Sequence, residues 1–315
     1  MKILVVGGAG YIGGAVTDAL LSKRIPFTVY DALLYEPHYQ KEVDFIRGDI
    51  RDTQLLKKAL LDCTHVIWLG AIVGDKACEV LPDLTTSVNQ DAVLWLTENF
   101  SGKVIFTSTC SVYGEHNEEV DEEGVVNPLS LYARTKLQAE DYLLSHKNSL
   151  IFRLGTSFGL SDTYSRPRMD LVANQMPVAA LTKGIITLHG GEQWRPMIHV
   201  KDIASAIVEN FDRSVFGLYN IATSNLQIKT LAIACSEIVG CGVNIVPETI
   251  DGRNYRVNTQ KAVRDKIFNP YTSRSIEYGI REFINLVKSG RVKDTENNFY
   301  FNVRHIEDLK KNGFC

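Results

Sequence analysis

Residues 2–13 read KILVVGGAGYIG. The apolar run 2–6 stops at glycine, the pattern of a strand buried on both faces of a parallel sheet. Gly7, Gly10 and Gly13 then form Gly-x-x-Gly-x-x-Gly, one residue longer in its first gap than the common dinucleotide fingerprint. Glycine is required where a turn is tight and the backbone must approach a pyrophosphate closely. Ile12, Ala15, Val16, Ala19 and Leu20 follow at helical spacing over 11–22, so the turn opens onto a helix N-terminus. Free amides and a positive dipole end make such a terminus a phosphate site. A second strand, 26–30, runs to Asp31, 18 residues after Gly13. A carboxylate there can accept hydrogen bonds from an adenosine ribose and repel a 2′-phosphate, which points to NAD rather than NADP. The plainer reading of Asp31 is an ordinary turn aspartate.

The alternation continues outward from this unit. Strands are predicted at 43–47, 65–69, 103–107 and 149–153, and helices at 53–61, 83–99 and 131–145. Strand–helix alternation of this length predicts an α/β fold, a doubly wound parallel sheet of the Rossmann type. After Arg153 glycine and proline become frequent. A helix is predicted at 169–182, a returning helix at 201–210 and a strand at 217–221. Amphipathic helices follow at 229–239 and 273–289. The expected organisation is an NAD-binding Rossmann domain from 1–154 and 196–222. A smaller α/β substrate domain comes from 155–195 and 223–290, and a polar surface tail from 291–315.

Composition narrows the function. The 315 residues are 45% apolar and 23% charged, ordinary globular usage. The net charge of −3 gives no nucleic-acid footprint. No stretch approaches the ~18–20 apolar residues of a membrane span. Gly7, Gly8, Gly10, Gly13 and Gly14 break up the N-terminal apolar run, so it does not read as a signal peptide. Cys63, Cys78, Cys110, Cys235, Cys241 and Cys315 show no zinc-site spacing and read as six reduced thiols in a cytoplasmic protein. No metal is expected. The acidic stretch 118–123 reads as a solvated loop and His199 as a structural histidine.

Tyr132 and Lys136 stand at i and i+4, on one face of the helix predicted over 131–145. Such a pair is weak alone. Its position counts, because strand 103–107 ends in Thr107, Ser108, Thr109, Cys110 and Ser111, a hydroxyl cluster at the sheet edge where open α/β sheets bind ligands. A phenol near pKa 10 is a poor base at neutral pH; a nearby ammonium and a cationic nicotinamide would lower it. It could then take a proton from a carbinol as hydride leaves the same carbon, with Thr109 holding the reacting oxygen.

Together with Asp49 and Ile50, the triplet Leu69-Gly70-Ala71, Asn89, the run 108–114, Arg153-Leu154-Gly155 and residues 194–200, these motifs make the chain resemble the extended short-chain dehydrogenase/reductase family, in particular its NAD-dependent sugar-nucleotide epimerase/dehydratase group. The resemblance covers residues 1 to about 290. It implies a cofactor set of Gly7, Gly10, Tyr11, Ile12, Gly13, Asp31, Asp49, Ile50, Leu69, Gly70, Ala71 and Asn89, with Tyr132 and Lys136. It implies Thr109, Tyr132 and Lys136 as the catalytic set. Asn174 and Arg195, helped by Arg253, would meet the diphosphate of a nucleotide-sugar substrate. By the same analogy helices 83–99 and 131–145 form a homodimer face.

Two departures narrow the reaction. Family dehydratases place Asp-Glu directly after the catalytic hydroxyl; here those positions are Cys110 and Ser111, which argues against a 4,6-dehydratase. Galactose-type 4-epimerases usually place a lysine two residues after the Leu69-Gly70-Ala71 triplet; here it is Val73. The loop 72–78 resembles epimerase-like proteins and 4-dehydrogenases of polysaccharide clusters. The reading is therefore an NAD-dependent nucleotide-sugar epimerase in polysaccharide or glycoconjugate precursor synthesis. The alternatives are a nucleotide-sugar (heptose included) 4-dehydrogenase or 4-reductase with net redox change, and a non-catalytic NAD-binding protein.

Overall fold

The computed structural model describes residues 1–37, 39–248 and 251–313. Its first part runs β1 (Ile3–Val6), α1 (Tyr11–Ser22), β2 (Thr28–Asp31), β3 (Asp44–Arg47), α2 (Thr53–Ala59), β4 (His65–Trp68), α3 (Asp75–Val80), α4 (Pro82–Thr86), α5 (Ala92–Asn99), β5 (Lys103–Thr109), β6 (Glu115–Val120), α6 (Leu131–Ser145) and β7 (Ser149–Leu154). The second part holds β8 (Thr156–Phe158), α7 (Val172–Lys183), β9 (Ile185–His189), β10 (Trp194–His199), α8 (Val200–Asn210), β11 (Gly217–Ile221), β12 (Ser224–Gln227), α9 (Ile228–Val239), β13 (Gly242–Val246), β14 (Asn254–Val257), α10 (Gln260–Arg264), α11 (Ile276–Lys288) and α12 (Asn302–Lys311).

A seven-stranded sheet in the order β3-β2-β1-β4-β5-β7-β11, parallel throughout, forms the centre. The β-branched residues of β1 explain its place at the middle. Ile3, Leu4, Val5 and Val6 are all fully buried, Ile3 and Val5 packing toward α1 and α8 and Leu4 and Val6 toward the opposite helices. Strand order reverses between β1 and β4, and a crevice opens there at the carboxyl ends of the strands. The chain is thus an α/β Rossmann fold. The other strands form three small sheets: β12-β10-β8, β13-β9 and β14-β6.

Several details depart from the sequence-based expectations. The helix predicted at 83–99 is not continuous: between α4 and α5 the chain takes a π-turn, Ser87–Asp91. β10 belongs to the β12-β10-β8 sheet, so the return to the central sheet comes at α8, not at residue 196. Ala262, Ile267 and Phe268, assigned above to the substrate domain, pack in the core of the central sheet. The acidic stretch is not simply a solvated loop. Residues Glu115–Val120 form β6 beside β14, and Glu122 is buried where its carboxylate accepts the Asn220 amide at 2.7 Å. The tail is more than a surface wrap, because α12 buries Asn302 and Ile306. Cys315 lies outside the described residues. Among the described residues no helix is long and apolar enough to cross a membrane.

Candidate active site

The glycine turn is shaped by contacts a side chain would destroy. Gly7 has φ +79° and its amide donates to the Tyr30 carbonyl at 2.9 Å; a Cβ there would run into the backbone of Leu69 and Gly70. A Cβ at Gly13 would overlap the Gly7 carbonyl. Gly10 caps α1 without a side chain, leaving the first amides of the helix for a ligand. Two connected cavities meet at this turn. One is lined by Asp31, Asp49, Ile50, Leu69, Gly70 and Ala71. The other holds Tyr11, Ile12 and Gly13 with Thr109, Tyr132 and Lys136.

Asp31 sits at the end of β2. Its carboxylate accepts the Ala9 amide at 3.0 Å and the Leu33 amide at 2.8 Å, while burial pushes its pKa up. In the same cavity burial pushes Glu36 up to about 8, although the Arg166 amide donates to it at 2.6 Å. Asp49 pairs with Arg51 at 2.6 Å. Asn89 lines neither cavity. Buried within the π-turn, it pairs with both backbone groups of Ile72: its side-chain amide donates to the carbonyl at 2.9 Å and its carbonyl accepts the amide at 2.8 Å. It therefore fixes the loop after β4 from behind. Inserted π-turns recur at functional sites.

Thr109, Tyr132 and Lys136, the residues expected to form the catalytic set, lie together. Ser130 caps α6, accepting the Ala133 amide at 3.2 Å, and its hydroxyl donates to Asp75 at 2.6 Å. Tyr132 and Lys136 then project from the first turns of α6 toward Thr109 at the end of β5, and all three line one cavity. Lys136 Nζ stands 3.9 Å from the Phe106 ring centroid. The electrostatics correct one expectation. Burial, with the nearby Cys78 and Asp75, pushes the Tyr132 phenol up; Thr109 and Arg168 pull against it. Burial also lowers Lys136 to about 7. Desolvation therefore outweighs cationic stabilisation, and in the chain by itself the phenol is protonated.

Behind the trio lies a buried charged network that motif reading missed. Arg153 holds Glu140 with two nitrogens, the closer contact 2.7 Å, and Ser108 donates to the same carboxylate. Arg153 also donates to the Tyr113 hydroxyl at 2.9 Å, so Tyr113 packs in this network and does not line the cavity of Tyr132. Cys110 is fully buried and its thiol is pushed up by burial. The spacing Tyr132–Lys136–Glu140, every fourth residue of one helix, was the available signal for Glu140.

On the substrate side the predicted residues divide. Arg253 lines the catalytic cavity and also a larger adjoining cleft, where Arg195 lies. Arg195 pairs with Asp251 at 2.8 Å, and Arg253 bridges Asp251 and Asp75, the latter at 2.8 Å. Asn174 lines neither. It is 1% exposed; its carbonyl accepts the Gly159 amide at 2.8 Å and its amide donates to the Arg168 carbonyl at 2.9 Å. In the chain by itself Asn174, expected at the diphosphate, braces two loops. Arg168, absent from the expected set, faces both cavities and pairs with Asp170 at 2.7 Å. Arg166 and Arg168 flank Pro167 with no spacing that marks a site, which is why sequence reasoning passed over them.

A glycine turn on a helix N-terminus and a carboxylate at the end of β2 define a dinucleotide-binding fold, with a Tyr-x-x-x-Lys pair beside a threonine in the adjoining cavity. The comparisons with known proteins agree. The chain belongs to the NAD-dependent epimerase/dehydratase family, whose profile matches residues 3–222. It is similar to an undecaprenol-diphosphate-linked N-acetylglucosamine 4-epimerase of Escherichia coli O157:H7, 27% identical over 144 residues, 45% of this chain and 42% of that protein. It is also similar to a putative UDP-glucose 4-epimerase of Methanocaldococcus jannaschii, 26% identical over 218 residues, 65% of this chain and 71% of the other. Among solved structures, the UDP-glucose 4-epimerase of Thermus thermophilus in complex with NAD matches with TM-score 0.77 and 25% identity, covering 90% of this chain and 99% of that one. The cofactor is NAD.

Proposed function

We propose that this chain is an NAD-dependent nucleotide-sugar epimerase that oxidises a sugar carbinol, at C4 or a neighbouring carbon, and returns the hydride to the opposite face. The observation that carries the reading is the convergence of Thr109, Tyr132 and Lys136 on the cavity that also holds the glycine turn, next to a cleft lined by Arg168, Arg195 and Arg253. Bound NAD supplies a hydride acceptor and a positive ring. Thr109 orients the carbinol oxygen by hydrogen bonding. Tyr132 is buried and protonated in the chain by itself. Beside the positive ring it would release that proton to solvent. As phenolate its Oη takes the carbinol proton as hydride departs and gives it back when the keto-sugar is reduced. Lys136, poised near neutrality, sets the charge facing that phenol. The arginines of the adjoining cleft, paired with Asp170, Asp251 and Asp75, exchange those carboxylates for the diphosphate of the substrate. Cys110 and Ser111 supply no acid/base pair for eliminating water, so dehydration is not part of the proposal. The dimer proposed here places the α4–α5 segment and α6 at a two-fold face; light scattering reads it directly, with a monomer mass in solution overturning it.

The test is product analysis with a panel of GDP-, UDP-, CDP- and dTDP-sugars. Formation of the epimer without a lasting rise in NADH absorbance supports the epimerase. Accumulation of the oxidised sugar with NADH establishes the 4-dehydrogenase alternative instead. Tyr132→Phe should lower turnover by about a thousandfold while leaving NAD bound; unchanged turnover would remove Tyr132 as the base and favour a non-catalytic NAD-binding role.

A further inference from the structure

The two cofactor cavities share Gly7, Gly10, Tyr35, Leu69 and Ala71. One runs on to Asp31 and Ile50, the adenosine end, and the other to Tyr132 and Lys136, the reactive end. What they share is therefore the middle of the dinucleotide, which is its diphosphate. Four cations line the catalytic cavity: Lys136, Arg166, Arg168 and Arg253. Arg168 and Arg253 are paired with carboxylates. Arg166 is not: among the described residues no carboxylate lies within ion-pair distance of its guanidinium, although it is only 5% exposed. Burial and the charge of Arg168 lower it to about 10.

Tyr35 stands beside it. Its ring centroid lies 4.6 Å from the Arg166 guanidinium carbon. Its hydroxyl is buried without a hydrogen-bond partner among the described residues. A buried hydroxyl without a partner at the junction of the cavities, beside a buried cation without a carboxylate in the catalytic cavity, calls for an anion. The C-terminal segment fixes the arginine from behind. The Phe299 carbonyl and the Asn302 side-chain oxygen each accept from Arg166, leaving three of its five N–H groups for a ligand. Asn302 in turn donates to the Val73 carbonyl at 2.9 Å, and His305 Nε2 meets the Leu34 carbonyl at 2.9 Å, so the segment spans both cofactor loops. This segment lies beyond the residues the family profile matches.

We propose that Arg166 and Tyr35, held in place by residues 299–305, bind the diphosphate of NAD. The segment thereby completes the cofactor site at a point where the glycine turn supplies only backbone amides.

Calorimetric titration of cofactor-stripped protein with NAD, and separately with UDP as a probe of the substrate cleft, tests this. Tyr35→Phe deletes only the unpartnered hydroxyl, so the melting temperature without cofactor should hold or rise while the NAD dissociation constant increases about three- to tenfold. Arg166→Gln should raise it about tenfold to a hundredfold, with Arg166→Lys between. UDP affinity should stay within about twofold of the parent. Unchanged NAD affinity in Tyr35→Phe and Arg166→Gln overturns the proposal. So does a loss that falls on UDP and spares NAD, which would assign the pair to the substrate's diphosphate. Should Arg166→Gln fail to fold, Tyr35→Phe decides alone.

Discussion

Lys136 shows how a site can carry a stability cost. It is 3% exposed and its pKa falls to about 7 from an ordinary 10.5. Below pH 7 it is charged in both folded and unfolded chains, and the fold bears the full desolvation penalty. As pH rises from 7 toward 10.5 the folded chain releases the proton first, and the penalty fades. Lys136→Met should therefore stabilise the protein by roughly 3–5 kcal/mol at pH 6 and by much less near pH 10, while turnover collapses. Urea unfolding at the two pH values reads the difference; an equal gain at both would show that the ammonium is not desolvated. The sequence drew attention to this residue through its spacing to Tyr132. It could not show the sign of the electrostatics, because burial depends on Phe106 and on a roof contributed from elsewhere in the chain.

Among the elements, the stretch from α4 to α5 is the most instructive. Its apolar residues read as one helix, because one extra residue turns the pattern by only about 100° and the pieces on either side are too short to reveal the offset. The π-turn 87–91 therefore left no mark in periodicity. It puts Asn89 inward, where the side chain satisfies both backbone groups of Ile72. Asn89→Leu would strand a buried N–H and a buried C=O at once, at about 2–4 kcal/mol, measured by chemical denaturation. NAD affinity should weaken with it, because the loop from Leu69 to Ile72 walls the adenosine cavity. A variant with full stability would mean that water replaces the amide. The central strands were legible because short apolar runs, such as residues 3–6, 66–69 and 104–106, bounded by glycine or polar residues leave few alternatives. β6 and β14 were not: β6 reads Glu115-His116-Asn117-Glu118-Glu119-Val120, and its pairing depends on a partner about 140 residues away.

For the molecule as a whole, the glycine turn, the parallel sheet and the shared placement of Thr109, Tyr132 and Lys136 could be read from short-range patterns. What escaped was whatever joins distant parts. The core of the central sheet takes in Ala262, Ile267 and Phe268, and the polar tail becomes a helix whose few apolar residues, Val303, Ile306 and Leu309, suffice to seat it on the first lobe. Asn174 illustrates the same limit at a single position. Its family role suggested a ligand, whereas its tertiary surroundings use both ends of its amide for backbone.

The bonds from Asn302 to Val73 and from His305 to Leu34 join positions 229 and 271 residues apart. Closures of that span are slow, since chain entropy must be surrendered before they return anything. A refolding time course should accordingly recover far-ultraviolet ellipticity first and nucleotide retention afterwards, with the two traces separated by the docking of α12. Assembly of the last helix then acts as the clock for cofactor capture.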